Sequence, residues 1–295
     1  MLNPVRLIGA MCVAEVLGML GFSTFPALLP RLMSEWNLSN TDAGWINAIF
    51  FAGYLTAVIL LVSLTDRVDP RRIYLLCMAF SGLASLGFSL LAQGFWTALL
   101  LRTLAGIGLA GTYMPGLKAL TDHIEGAAQS RAVSFYTASF GVGTSLSFYL
   151  SGKIAAWQGW RMAFGIAALG PPLAIGLAWL VLPAQQLVTA SSARVLWRDF
   201  YKVFRNRWAM GYTLAYACHN FELFGFRSWI VAFLTFSLQF QAGDAPPLSP
   251  PTLAAIVMLL SLPSSVIGNE MAVRFGRRRV VVIVMLTSAL LAGTL

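Results

Sequence analysis

The chain has 295 residues, of which only 11% are charged and 58% hydrophobic, with a mean hydropathy of +0.74 and a net charge of +9. A soluble domain carries about 25% charged residues, so this composition excludes one and places the chain in a bilayer. Apolar runs of about 20 residues, enough to cross about 30 Å of hydrocarbon, recur along the whole length and exclude a single anchor.

In chain order, the predicted spans run near 7–30, 43–63, 73–92, 95–117, 132–152, 162–182, 209–237 and 252–270, with another beginning near 280. The first follows a lone Arg6 and so has the look of a secretory leader. It is too long for one, however, and ends in "FPALLP" without a small-residue cleavage site, so it is expected to be retained. Cys12, Cys77 and Cys218 fall inside apolar spans with no metal or disulfide spacing and read as small core hydrophobes.

The cations are distributed by topology rather than gathered for nucleic acid, which is not an expected partner. With the N-terminus cytoplasmic, Arg6, Arg67, Arg71, Arg72, Lys118, Arg131, Arg194, Arg198, Lys202, Arg205, Arg207, Arg274, Arg277, Arg278 and Arg279 share the cytoplasmic side. Arg31, Lys153 and Arg161 lie opposite, while Arg102 and Arg227 fall within spans. This bias is the positive-inside pattern and predicts a multi-pass protein of the cell (inner or plasma) membrane with its N-terminus inside.

The longest polar interval, Pro183 to Met210, separates six spans from the remainder. It divides the chain into a lobe over 1–182, a cytoplasmic linker over 183–208 and a partial lobe over 209–295. Within the linker, Val195, Trp197, Phe200, Val203 and Phe204 alternate with Arg194, Arg198, Lys202 and Arg205, which suits either an interfacial helix reaching anionic headgroups or a solvated connection. Sliding the chain along itself so that Glu15 falls on Glu222 also brings Gly18 onto Gly225, and Arg67, Arg71 and Arg72 onto Arg274, Arg278 and Arg279. Two repeated halves are a common transporter plan. The chain stops in "VVVIVMLTSALLAGTL", so a second half equal to the first would need roughly three further spans, about 100 residues.

"VSLTDRVDPRR" between the second and third spans resembles the signature loop G-x-L-a-D-r-x-G-r-k/r of the major facilitator superfamily of secondary transporters. Leu64, Asp66, Arg67 and Arg71 match it, while Val62, Asp69 and Pro70 depart from it. A second copy, "NEMAVRFGRRR", supplies Arg274, Gly276, Arg277 and Arg278 but has Val273 in place of the acid. "RTLAGIGLAG" from Arg102 is similar to the fourth-span motif, with Ala105 for its glutamine, and "GWRMAF" from Gly159 to the entry of span six. The G-P-x-x-G-G of drug antiporters is absent from "GVGTSLSFYLSG".

The resemblance implies an all-α polytopic membrane protein with the MFS fold: two pseudo-repeated six-helix lobes, the second truncated, with about nine of twelve transmembrane helices present. It implies a monomeric carrier that moves a small-molecule solute through the lipid bilayer by alternating access, with H+ as the candidate coupling ion and symport the expected mode. A drug or metabolite exporter, a non-transporting sensor and an inactive fragment are the alternatives. It also implies a conformational latch built from Asp66, Arg67, Arg71, Arg274, Gly276 and Arg278, with Asp66 set against the start of an eleventh span.

A charge near the bilayer centre costs about 2.5–3.5 kcal/mol, so intramembrane ionisable residues mark function. Glu15, Arg102, His219, Glu222 and Arg227 qualify and are the candidate substrate or proton groups. In the family that the chain resembles, spans one, four and seven, which carry all five, line a central cavity. By rise per residue Glu15 lies about 12 Å in from the cytoplasmic side and Arg102 about 10 Å in from the other, which makes an ion pair between them the expectation. Such a pair could exchange partners with substrate or simply lock the lobe. Arg102 favours a small organic or inorganic anion, an argument that neutralisation by Glu15 would remove.

His219 and Glu222 share a helix face and suit a proton relay, although a lone span histidine is also often hydrogen-bonded to a neighbouring helix. Tyr54, Tyr113, Asn220 and Trp229 are weaker lining candidates. "GIGLAG" fits a dinucleotide fingerprint as text, yet it has no preceding strand and sits in a span. Gly106, Gly108 and Gly111 are therefore assigned to close helix packing. His123, Asp122 and Glu125 belong to a solvated loop. No nucleophile–base pair, phosphate loop, metal set or cofactor motif is apparent, and no enzyme is expected.

Overall fold

A computed structural model describes residues 4–184, 201, 203–240 and 248–294. Among them every regular element is helical. The helices are α1 (Pro4–Gly18), α2 (Thr24–Trp36), α3 (Asn40–Leu64), α4 (Pro70–Leu91), α5 (Phe95–Thr121) and α6 (Ala127–Gln158). They continue as α7 (Trp160–Ala167), α8 (Gly170–Val181), α9 (Arg207–Gln239), α10 (Pro250–Phe275) and α11 (Arg277–Gly293). The interfacial helix expected in the linker lies outside the described residues, apart from Tyr201 and Val203–Arg205.

Pro4–Trp36, Asn40–Leu64, Pro70–Leu91, Phe95–Thr121, Trp160–Val181 and Arg207–Gln239 are long and apolar enough to cross a membrane. The fifth expected span, α6, is not in that set. Hydroxyl residues from Ser130 to Ser151, with Arg131 and Lys153, lower its apolarity, and it buries several of the hydroxyls against other helices. The eighth is apolar over Pro250–Ser264, and the ninth, α11, has 17 residues.

Local chemistry fixes the helix starts. Ser39 and Asp42 form a reciprocal capping box on α3, and the Asp69 side chain accepts from the Arg71 N–H with Pro70 at the first helical position of α4. Asn206 accepts from the Trp208 and Ala209 N–H groups at the start of α9. Gly276, at φ +88°, turns the chain between α10 and α11 in a backbone region that disfavours side chains.

The first expected span is broken. A 3₁₀ turn over Met19–Gly21 separates α1 from α2, freeing backbone groups that water cannot reach inside a membrane. Ser147 of α6 satisfies both sides of the break: its Oγ donates to the Leu20 carbonyl at 2.7 Å and accepts from the Ser23 N–H at 3.0 Å. Four residues on, Ser151 donates to Thr24 Oγ1 at 2.9 Å.

Glycines bring α5 against two neighbours. A Cβ at Gly106 would run into the Phe50 carbonyl of α3, and one at Gly53 of α3 would lie 2.6 Å from the Thr103 carbonyl of α5. On the other side, Gly108 faces Ser81 and Gly111 faces Cys77, both on α4. Close backbone approach of this kind supplies packing where lipid leaves little hydrophobic drive between helices.

Two apolar cores lie at opposite ends of the bundle. One, at the end carrying the N-terminus, gathers Leu7, Met11, Tyr74, Met78, Leu120, Tyr136 and Ala178 from α1, α4, α5, α6 and α8, with no residue of α9 or α10. The other unites Phe25, Leu29, Ile46, Phe88, Phe148 and Trp160 with Ile230 and Val231 of α9 and Ala254, Ala255 and Met258 of α10. Contacts of α9 and α10 with α1–α8 reach mid-helix, where the Phe51 and Phe224 rings lie 4.9 Å apart and Gly141 faces Leu262, but their shared buried apolar core lies at the end away from the N-terminus. There Ser145 of α6 donates to the Ala255 carbonyl at 2.7 Å, and Gly152 abuts Pro251. Toward its own start α9 stands clear, with Tyr212, Leu214, Tyr216 and Phe221 exposed.

Candidate substrate cleft

The five intramembrane ionisable residues separate into three places. Glu15, buried on α1, accepts a 2.8 Å hydrogen bond from the Tyr136 hydroxyl on Oε2, while Oε1 is buried without a partner. Tyr136 Oη also contacts the Thr112 carbonyl at 3.2 Å. Its ring lies 6.0 Å from that of Tyr113 in a stacked pair, and the buried Tyr74 hydroxyl has no partner.

The expected Glu15–Arg102 ion pair does not form. Through Tyr136, Glu15 is level with Thr112 on α5, ten residues or about 15 Å along the helix from Arg102, beyond what either side chain spans. Arg102 instead lays its guanidinium 4.1 Å from the Phe50 ring centroid and 5.2 Å from that of Phe25. It is 4% exposed, and its Nε has no acceptor. Aromatic faces stabilise a desolvated guanidinium by about 2 kcal/mol or more but, unlike a carboxylate, leave its charge uncompensated.

Arg227 of α9 is the residue that Arg102 does meet across a shared space. Its guanidinium stands 5.7 Å from the Phe140 ring and 5.6 Å from that of Phe224, and its buried Nε is unpartnered. Both arginines line one cleft with Phe22, Ser23, Pro26, Asn47, Phe50, Phe51 and Ser228. Among the described residues no acid lines it and neither arginine has an ion pair. Asn47 donates to the Ala43 carbonyl and leaves its buried Oδ1 without a donor. The break between α1 and α2 puts Ser23 and Pro26, at the start of α2, on the same wall. Open volume amounts to about 10 Å³ for the centre of a water-sized molecule, room for roughly one water.

Glu222 is elsewhere: exposed on the stretch of α9 that stands clear, it accepts from Ser288 of α11 at 3.3 Å. His219 is exposed beside it, and no hydrogen bond joins the two, so the structure does not assemble the expected relay. Of the weaker lining candidates, Asn220 donates to the Tyr216 carbonyl in its own helix, Trp229 packs near Gly44, and Tyr54 abuts Gly106.

The loop motifs carry local structural duties. Arg71 donates to the Trp179 carbonyl at 2.7 Å, tying the α3–α4 turn to the last turn of α8. Asp66 and Arg67 are exposed, and Asp66 has no bonding partner among the described residues. Arg274 pairs with Glu270 one turn earlier at 2.7 Å, and Arg278 is exposed on α11. His123 bonds the Ala119 carbonyl at 2.7 Å, and Asp122 pairs with Lys118 at 3.0 Å.

Sequence reasoning missed Asn47, Phe50, Tyr136 and Ser147. Only Asn47, an amide inside an apolar span, carried a signal in isolation.

A multi-pass helical bundle with a broken first span, a second helical group sharing a core with it at one end and an ionisable cleft between them is the architecture of a membrane carrier. The chain belongs to the Major Facilitator Superfamily, whose sequence model matches residues 11–295. It is similar to human protein spinster homolog 1, 26% identical over 299 residues, covering 94% of this chain and 56% of the human protein. A probable L-galactonate transporter of Escherichia coli (strain K12) is 26% identical over 238 residues, 75% of this chain and 52% of that protein. The fold resembles the crystal structure of a bacterial homolog of the human lysosomal transporter Spinster, in an inward-facing and unoccupied conformation. That match has a TM-score of 0.74 at 19% identity and covers 93% of this chain and 64% of that one. The chain spans about half the length of the curated relatives it matches. Family membership sets it among transporters rather than enzymes.

Proposed function

We propose that the chain forms part of a secondary transporter that moves a small anionic solute by alternating access, with lobes over 1–182 and 209–295 joined by the 183–208 linker. The observation that carries this reading is the cleft between the lobes, where Arg102 and Arg227 face one space with no acid among its described lining residues. Two desolvated cations without counterions are stabilised by an anion far more than by a neutral solute. The lobes share a buried core at the end away from the N-terminus and part at the other, so with the N-terminus cytoplasmic the conformation is inward-facing. The names of its relatives, which include a probable sphingolipid transporter of Arabidopsis thaliana and the L-galactonate transporter, support anionic or amphiphilic solutes.

Glu15 is the proposed proton carrier: a buried carboxyl with one unpartnered oxygen, set apart from both arginines. The test is uptake of radiolabelled galactonate and benzoate into proteoliposomes under imposed pH gradients. Flux of at least one, lost in Arg102→Gln at unchanged expression, is the expected result. Full flux in Arg102→Gln would remove that residue from the site, and uptake of neutral solutes alone would overturn the anion reading.

A further inference from the structure

We infer that Tyr136 is a positioning residue for Glu15: its one hydroxyl proton switches between the Glu15 carboxylate and the Thr112 carbonyl, so that the ionised and the protonated acid are both hydrogen-bonded. The inference rests on the reading of Glu15 as the proton carrier and names the residue through which that carrier is held in either state. The Tyr136 oxygen lies 2.8 Å from Glu15 Oε2 and 3.2 Å from the Thr112 carbonyl oxygen. Both neighbours are acceptors when Glu15 is ionised, yet a phenol has a single proton to donate, and its oxygen can also accept. It therefore donates to one of them at a time. With Glu15 ionised, the proton points to the carboxylate, which offers the charge-assisted bond and the shorter contact. An arriving proton settles on Oε2, because Oε1 has no partner to receive its hydrogen bond. Oε2–H then donates to the Tyr136 oxygen, and the phenol proton turns to Thr112. Proton uptake thus reverses one hydrogen bond and makes another by rotation of a single O–H, and the phenol keeps its own proton throughout.

The surroundings leave this task to Tyr136. Glu15 and Tyr136 are both buried inside a span, where a polar group without a partner is costly. Gly116 makes room for the hydroxyl, since a Cβ there would run into the Tyr136 oxygen and lie 2.8 Å from the Tyr74 ring. The stacked Tyr113 ring packs on that of Tyr136 from the side of α5. The acceptor carbonyl belongs to the turn of α5 that enters Pro115, whose missing N–H leaves the helix one backbone bond short. The other titratable groups near Glu15 are Cys12 of its own helix, Tyr74 of α4 and Tyr113 of α5, while α8 contributes none. The cations of these helices are placed elsewhere. Arg102 lies in the cleft, Arg71 bonds the Trp179 carbonyl, Lys118 pairs with Asp122, and Arg6, Arg72, Arg131 and Lys153 are exposed. The Tyr136 hydroxyl is therefore the donor that the ionised carboxyl has, and the acceptor that the protonated one has, among the described residues.

The test is spectroscopic and needs no transported solute. Infrared difference spectra of the full chain in nanodiscs, stepped from alkaline to acidic pH with ring-labelled tyrosine, read two signals: the protonated-carboxyl C=O band that Glu15→Gln removes, and the tyrosine C–O band that Tyr136→Phe removes. The expected result is that both change together with one midpoint, although the phenol does not itself titrate. In Glu15→Gln the Tyr136 band should become independent of pH. In Tyr136→Phe, which keeps the ring and its packing, the carboxyl band should persist but shift to the position of an unbonded carboxyl. Tyr74→Phe and Tyr113→Phe should retain the paired change. If Tyr136→Phe does not fold, that retention assigns the tyrosine band, because those two are the other tyrosines near Glu15. A Glu15 band that titrates while the Tyr136 band stays constant, or that keeps its position in Tyr136→Phe, overturns the switch and leaves the proton-carrier reading standing. Absence of any titrating band that Glu15→Gln removes would defeat the proton carrier and the switch together.

Discussion

Replacing Ser147 by alanine removes one oxygen from α6, yet it should damage the first span more than its own helix. The hydroxyl donates to the Leu20 carbonyl and accepts from the Ser23 N–H, so its loss orphans two backbone groups at the 3₁₀ turn. A buried polar group left unsatisfied costs about 1–3 kcal/mol, which sets about 2–6 kcal/mol as the range for two. Interhelical hydrogen bonds in membranes average about 0.6 kcal/mol with a maximum of about 1.7, because the unfolded reference state finds other partners. The turn can also tighten and recover part of the Ser23 bond. We therefore expect a loss of about 2 kcal/mol, roughly a 30-fold shift in the unfolding equilibrium. Reversible unfolding in mixed SDS micelles measures it directly. Ser134→Ala is the control: that hydroxyl bonds only the Ser130 carbonyl of its own helix at an exposed position. Its loss should stay within about 0.5 kcal/mol. Equal stability of the two variants would show that the break in span one does not depend on α6.

Gly106→Ala should destabilise by about 1–3 kcal/mol in the same assay, because the new methyl meets the Phe50 backbone, which moves only with α3. Gly176→Ala, with nothing within 4 Å, should instead gain up to about 1 kcal/mol. Asp66→Asn should leave the unfolding midpoint of this chain unchanged, since Asp66 is exposed with no bonding partner among the described residues. If Asp66 is a latch residue, the same change in a chain carrying an eleventh span should alter the conformational equilibrium. Equal effects in both lengths would refute the latch.

Most of the helices were legible because lipid imposes its demand locally: a membrane span must be predominantly apolar, and no distant partner is needed to read that. Boundaries such as Asp69–Pro70 were also within reach, since an N-cap acid followed by proline is a local signal. The broken first span was not legible, because its break is satisfied by a serine more than 120 residues away in the chain. Charge alone picked out Arg102 and Arg227, but nothing in their spacing says that they face one cleft. The Glu15–Arg102 pair failed for a geometric reason. Depths counted from the two membrane faces leave a gap that long side chains were expected to close, whereas the Tyr136–Thr112 contact fixes the real offset at about 15 Å along α5.

That offset bears on how such a cleft works. A buried acid and a buried arginine in contact would neutralise each other, and neither would need anything from solution. Held apart, each is stabilised by a different mobile species: the carboxyl by a proton, the two arginines by an anion. Occupancy of one site can then be sensed at the other only through a shared element. Helices α1 and α2 supply it, since Glu15 lies just before the 3₁₀ turn and Ser23, on the cleft wall, just after it. The turn, pinned by Ser147, is thus the shortest covalent path between the proposed proton and anion sites. On this argument Ser147→Ala should loosen coupling as well as stability, so that anion uptake persists while its dependence on an imposed pH gradient weakens. Undiminished pH dependence in a destabilised Ser147→Ala protein would separate the two sites.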